Sequence, residues 1–337
     1  MRRYSTSLIA CFGLALTLAS SVAQAQYTLT SLVSNQVHAA THVDPLLVNG
    51  WGLAYKPGGP FWLSDNLSGW STIYDGAGAK RSLDVLIPTA GGNGPGTPTG
   101  IVYNGSPEFL VEGWPSLFLF ATLDGTISGW APQSNPNAAI VAVTSAGSVY
   151  TGLAITNNPT NNFLFAADNA NNKIDMYDGT FTLQASFTDP GIPLGFSAFG
   201  IQDIAGLVYV SFANTSGGEG GFVDIFTEGG TLVKQLVQGR PLNQPWGFAL
   251  APANFGPLSN SLLVSNNLDH GTINAFNPVN GSFVGTIRDT TGKAIVIDQL
   301  WGIEFGGGTS NDGAKNALYF TAGPFKNVTG MFGVIRP

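Results

Sequence analysis

Cysteine is almost missing from this chain of 337 residues, and its one representative is Cys11. Nothing downstream of Cys11 can form a disulfide, supply a thiol nucleophile or ligate a metal through sulfur. Charge is scarce as well. Only 10% of the residues are charged, against about 25% in an average soluble domain. Lys and Arg number 13 against 20 Asp and Glu, and the formal net charge is −7. No basic run is present, which argues against a nucleic-acid partner. There are 3 histidines, His38, His42 and His270. The chain contains no His-Glu-x-x-His pair, no EF-hand loop and no Gly-x-Ser-x-Gly elbow, so the common zinc, calcium and serine-hydrolase motifs are excluded. A helical period is absent beyond the first residues, and no polybasic or amphipathic stretch suits a membrane surface.

What is present begins with a secretory signature. Arg2 and Arg3 precede an apolar run from Leu8 to Val22, followed by Ala23-Gln24-Ala25. A basic start, a short apolar core and a small-x-small site predict a signal peptide over 1–25, cleaved after Ala25. The expected location is therefore secreted or periplasmic, with residues 26–337 as the mature domain. The C-terminal stretch from Met331 to Pro337 has no second hydrophobic run, so no membrane anchor is expected there.

The rest of the chain repeats. Gly52, Gly100, Gly152, Gly200, Gly247 and Gly302 recur at intervals of about fifty residues, each opening a short apolar stretch. A second apolar strand follows in each unit, as in Phe61 to Ser64, Leu117 to Ala121 and Leu262 to Ser265. A third strand alternates and often ends in an aromatic, as in Thr72 to Asp75 and Ile174 to Asp178. A weaker fourth is visible, as in Leu83 to Ile87 and Leu183 to Phe187. Six such units predict an all-β fold, a six-bladed propeller of four-stranded blades. The last unit lacks its fourth strand, whereas Tyr27 to Val33 forms a strand with no unit of its own. That N-terminal strand is expected to close the last blade. Trp51, Trp246 and Trp301 share one place in the repeat and are expected to pack between blades.

Several stretches resemble a family of exported, largely bacterial propeller proteins of uncharacterised function, similar to NHL-type propellers. They are Thr41 to Gly52, Gly94 to Val102, Asp124 to Trp130, Gly221 to Phe226, Pro245 to Pro252 and Leu318 to Pro324. The resemblance covers most of the mature chain and implies six blades and export. It implies no catalytic residues.

Topology nominates the candidate site. Loops entering first strands and turns from second to third strands emerge on one face of a propeller. That face collects Asp44, Asn49, Asn243 and Asp298 from the former, and Asp65, Asn66, Asp168, Asn169, Asn266, Asn267 and His270 from the latter. His42 lies two residues before Asp44. Such an oxygen-rich mouth suits a hard cation, calcium foremost. Asp and Asn at turns also satisfy local backbone donors, the competing structural reading. Two functions follow. The first is a monomeric binding module whose channel mouth takes a small molecule, a glycan or an envelope protein. The alternative is a lactonase- or phosphoesterase-like hydrolase with one divalent cation at the mouth.

Overall fold

The computed structural model describes Met1, residues 27–156, Asn158 and residues 161–337. The signal peptide predicted over 1–25 thus lies, Met1 apart, outside the described residues. The fold is a six-bladed β-propeller of four-stranded blades. The first strands of the blades are Gly50–Tyr55, Pro98–Tyr103, Tyr150–Ile155, Phe196–Ile204, Pro245–Leu250 and Leu300–Phe305. They contact one another in ring order, the last against the first. The four main strands of each blade are antiparallel neighbours, and in blade 6 the two-residue strand His42–Val43 adds in parallel outside Thr28–Ser34. In blade 6 the N-terminal strand Thr28–Ser34 lies antiparallel to Met331–Arg336 as the outer strand, so the two ends of the described chain close the ring together.

The second strands explain why the sequence shows apolar runs and not alternation. Phe118 and Phe120 pack towards blade 1, whereas Leu119 and Ala121 pack towards blade 3. A strand sandwiched between two neighbours is buried on both faces and carries apolar residues at nearly every position. Every residue of Phe61–Asp65, Phe118–Thr122, Leu262–Asn266 and Leu318–Ala322 is buried. The outer strand Leu183–Phe187 is half exposed. The core accordingly divides into six apolar clusters, one in each cleft between blades, with a seventh on the axis. Each large side chain buried in a cleft contributes roughly 1.5–3 kcal/mol.

The repeated glycines sit where adjacent first strands approach most closely. A Cβ on Gly52 would lie 2.6 Å from the Thr99 carbonyl, and one on Gly247 would lie 2.7 Å from that of Trp301. On Gly200 it would overlap the carbonyl of Trp246. Only a residue without a side chain admits the next blade at that distance. A hydroxyl ties the same junction. Ser211 Oγ accepts from Gly200 N and donates to Pro245 O at 2.7 Å. Ser265 Oγ accepts from Gly247 N and donates to Trp301 O at 2.6 Å. Thr321 Oγ1 accepts from Gly302 N and donates to Trp51 O. Blades 2 and 3 carry Ala121 and Ala167 at that second-strand place. There the hydroxyl moves to the residue before the glycine: Thr99 Oγ1 donates to Tyr150 O, and Thr151 Oγ1 to Phe199 O, both at 2.7 Å.

Candidate functional site

The propeller has an upper mouth, where the chain enters the first strands, and a lower mouth, where it leaves them. The upper mouth is filled by aromatics. Trp51 and Trp301 stack with centroids 3.6 Å apart, and Trp246 meets both edge-on at 6.3 and 5.8 Å. Phe199 leans on Trp301 at 5.8 Å. Trp246 Nε1 donates across the axis to Thr151 O at 2.9 Å, and Trp301 Nε1 donates to Asn49 Oδ1 at 3.0 Å. The tryptophans therefore pack on the axis against each other, not in the clefts between blades as expected from the sequence. Beneath the plug the channel narrows to a void of about 30 Å³ beside Gly52, Gly100, Gly247 and Gly302.

The structure gives the candidate polar residues of the upper face definite partners. Asn66, Asn169 and Asn267 reach the next blade, donating to Pro98 O, Ala198 O and Leu300 O at 3.1, 2.8 and 3.2 Å. Each acceptor lies two residues before a marker glycine, so these amides staple blade to blade. Asp168 Oδ1 accepts from Val149 N, and Asn266 Oδ1 accepts from Asn243 N, at 3.1 and 3.0 Å. Asp65 Oδ2 accepts from both the N–H and the hydroxyl of Thr72, which interrupts the third strand of blade 1. Burial pushes the Asp65 carboxyl well up, and Thr72 opposes that rise. Asn49, at φ 53°, also donates to Asn66 Oδ1 at 3.2 Å.

Asp44 is brought into a different neighbourhood. Buried in blade 1, it accepts from Tyr74 at 2.6 Å and pairs with Lys80 at 2.8 Å. His42 is exposed in a two-residue strand beside Val33 and Ser34. His270 is exposed at φ 61°, and its Nδ1 lies 3.2 Å from Asp298 Oδ1. The asparagines and aspartates that recur in the repeat are therefore tied to backbone and neighbouring blades. Among the described residues, no group of three or more His, Asp or Glu side chains converges as a metal cluster.

The lower mouth is open. A cavity of about 260 Å³ lies there, walled by Leu53, Tyr55, Val102, Tyr103, Leu153 and Ile155 from blades 1 to 3. An apolar cavity of roughly 150 Å³ already admits benzene. Three polar side chains stand across from that wall: Gln202 and Asp203 on blade 4 and Glu304 on blade 6. Removal from water pushes the Glu304 carboxyl up to about 7. The same cause, with Glu228 adding repulsion, raises Asp203 to about 6, against a weak backbone bond from Gly206. Asp203 Oδ2 is buried with no donor. Tyr55 donates to Phe305 O at 3.0 Å, and burial together with Glu304 and Asp312 raises its phenol. Carboxyls with raised pKa lining a part-apolar cavity mark the lower mouth as the candidate site.

Local sequence pattern does not single out these three residues, because they sit in the strand that opens each repeat. A signal was present. Counted two places past each marker glycine, the residues are Ala54, Val102, Ala154, Gln202, Ala249 and Glu304. Two of these six break an otherwise apolar column, and both face the cavity.

Comparison with known proteins agrees with this architecture. A gluconolactonase from Xanthomonas campestris superposes with a TM-score of 0.55 at 13% identity, covering 86% of each chain. A virginiamycin B lyase from Staphylococcus aureus gives 0.54 at 13% identity, over 93% of this chain and 100% of the other. At that identity the likeness establishes the propeller fold and nothing about chemistry. No family model matches the chain. Two proteins of Acanthamoeba polyphaga mimivirus match in sequence. The uncharacterized protein R648 is 30% identical over 332 residues, 92% of this chain and 80% of the relative. The uncharacterized protein L690 is 30% identical over 305 residues, 83% and 79% of the two. These relatives are viral, whereas the sequence resemblance pointed to a largely bacterial group. On that identity and coverage, the chain belongs to the family of the mimivirus protein R648.

Proposed function

We propose that the protein is a binding module for a small, part-apolar molecule, held in the lower mouth of the propeller. One observation carries the reading: the 260 Å³ cavity sets an apolar wall against two carboxyls, one of which, Asp203, has an oxygen buried without a donor. The upper mouth supports it by contrast, because an aromatic plug fills its axis and its amides bridge blades; the unpartnered Trp51 Nε1 and Asp65 Oδ1 there are buried and do not line the cavity. The test is a thermal-shift and calorimetric screen of small aromatic and aliphatic compounds. Wild type is compared with Ala54→Phe, which places a ring at the cavity wall, and with Asn267→Ala on the upper face. Binding should vanish in Ala54→Phe and persist in Asn267→Ala. The opposite pattern would return the site to the upper face, with His42, Asp44, Asp298 and their neighbours.

A hydrolase is the second reading, favoured by the near-neutral Glu304 carboxyl. A group that titrates near 7 is suited to moving a proton. A lactone and phosphoester screen tests it, paired with elemental analysis and calcium-dependent melting for the divalent cation this reading calls for. No turnover and no metal would overturn it. In either reading the chain is a secreted or periplasmic monomer, and N-terminal sequencing of the exported product tests cleavage after Ala25.

A further inference from the structure

We propose that the ligand of the lower mouth is a small organic cation, a protonated amine carried on a ring-sized apolar body. The inference rests on the lower-mouth reading above and adds the ligand's charge.

The argument is one of complementarity. The cavity is lined by two carboxyl side chains, Asp203 and Glu304, and among the described residues no Lys, Arg or His lines it. Elsewhere in the fold, some buried carboxylates have a base at hand, whereas Asp65 and Asp312 take backbone and hydroxyl donors instead. Asp44 has Lys80 at 2.8 Å, and Asp175 has Lys173 at 2.7 Å. At the lower mouth, among the described residues, Asp203 has neither a lysine nor a second donor, and unlike those four carboxyls it lines an open cavity. Asp203 Oδ2 has lost its water and gained no donor. Leaving such an acceptor unmade is costly, and a ligand that brings N–H donors recovers that cost on binding. An ammonium group brings several donors and a positive charge together, and charge-assisted bonds are the stronger kind.

The rest of the wall selects the body of the ligand. Leu53, Val102, Leu153 and Ile155 offer apolar surface, and the rings of Tyr55 and Tyr103 border it. Tyr55 is held in place by its hydroxyl on Phe305 O and by its edge-on contact with Phe61. Gln202, beside Asp203 on the first strand of blade 4, adds an amide to the lining. A neutral ligand brings a donor at most and no charge to meet the carboxyls. An anionic one would add a like charge to a site that already disfavours its own. A cation brings donor and charge together and still presents an apolar body to the wall.

The experiment compares three probes of one shape on the full-length folded chain: benzylamine, benzyl alcohol and benzoate, by calorimetry and ligand-observed NMR at neutral pH. Benzylamine should bind wild type at least about tenfold more tightly than benzyl alcohol, the scale of one charge-assisted bond. Benzoate should not bind. Glu304→Gln and Asp203→Asn should each remove most of the preference for the amine over the alcohol, whereas Asn267→Ala on the upper face should keep it. Residual binding of benzyl alcohol by the two cavity variants shows that they have kept their cavity. Equal binding of benzylamine and benzyl alcohol, or a preference untouched by both substitutions, overturns the cation while leaving the lower-mouth reading standing. Failure of every probe to bind wild type better than Ala54→Phe overturns both.

Discussion

The two mouths of this propeller are built from the same six strands, yet they differ in what their polar atoms are free to do. At the upper mouth, amides bridge blades, hydroxyls tie glycine junctions and three tryptophans fill the axis. At the lower mouth, carboxyls face a cavity and one of their oxygens has no partner. The difference teaches how to read a repeat protein. What recurs in register serves the closing of the ring, because every junction poses the same steric and hydrogen-bonding problem. What departs from the register is free to serve something else. Asn66, Asn169 and Asn267 belong to the first kind, and Gln202 and Glu304 to the second.

The strongest way to break the comparison is to open the plug. Trp301 stacks on Trp51, meets Trp246 edge-on and donates to Asn49. Trp301→Ala should cost about 3–5 kcal/mol, as deletions of large buried aromatics do. Urea unfolding reads this directly. A loss below ~1 kcal/mol would mean the plug is no keystone, and the upper mouth would again be a candidate site. Gly200→Ala comes next. Its new Cβ meets a backbone carbonyl that cannot swing aside, so the junction of blades 4 and 5 must shift, at about 1–3 kcal/mol or more. Asn267→Ala strips the partner from a buried carbonyl of the next blade and should cost about 1–3 kcal/mol. The same substitution should leave ligand binding at the lower mouth intact, which separates structural work from recognition.

Much of this molecule was legible in its residues, for a physical reason. The blade count, the marker glycines and the closing N-terminal strand follow from constraints repeated six times, so each appears in the sequence as periodicity. The tryptophans were legible as packing residues, but their place was not. Three side chains from blades 1, 5 and 6 meet on an axis that no local pattern describes. The candidate site was harder still. Asp and Asn at turns look alike whether they bind a ligand or a neighbouring carbonyl, because both uses need an oxygen or an amide at a strand end. Only the distances to Pro98, Ala198 and Leu300 decide. Glu304 was hidden in plain view inside Trp301-Gly302-Ile303-Glu304-Phe305, where the glycine drew the eye and the carboxylate read as one more strand residue.

The finest test concerns pH. Glu304 is raised from an ordinary 4.5 to about 7 by loss of water. Between those values the folded chain holds a proton that the unfolded chain has released. Stability must therefore fall as pH rises through that window and level off above about 7. Glu304→Gln removes the titration and should flatten this part of the melting-temperature profile. Asp203 adds a similar slope between 3.8 and about 6. A third group would blur the reading. Asp224, fully buried on the third strand of blade 4, has both oxygens without donors and faces Asp189, which with burial raises it to about 8. The profile is best measured in an Asp224→Asn background, which removes the Asp224 contribution up to about 8 and leaves those of Glu304, Asp203 and the buried Asp65. If Glu304→Gln then leaves the remaining slope unchanged, the lower-mouth carboxyl is as well solvated as any surface glutamate. The contrast between the two mouths would then reduce to shape alone. If the slope flattens, the lower mouth carries an electrostatic cost that folding does not recover, and a cationic ligand is the species that would recover it.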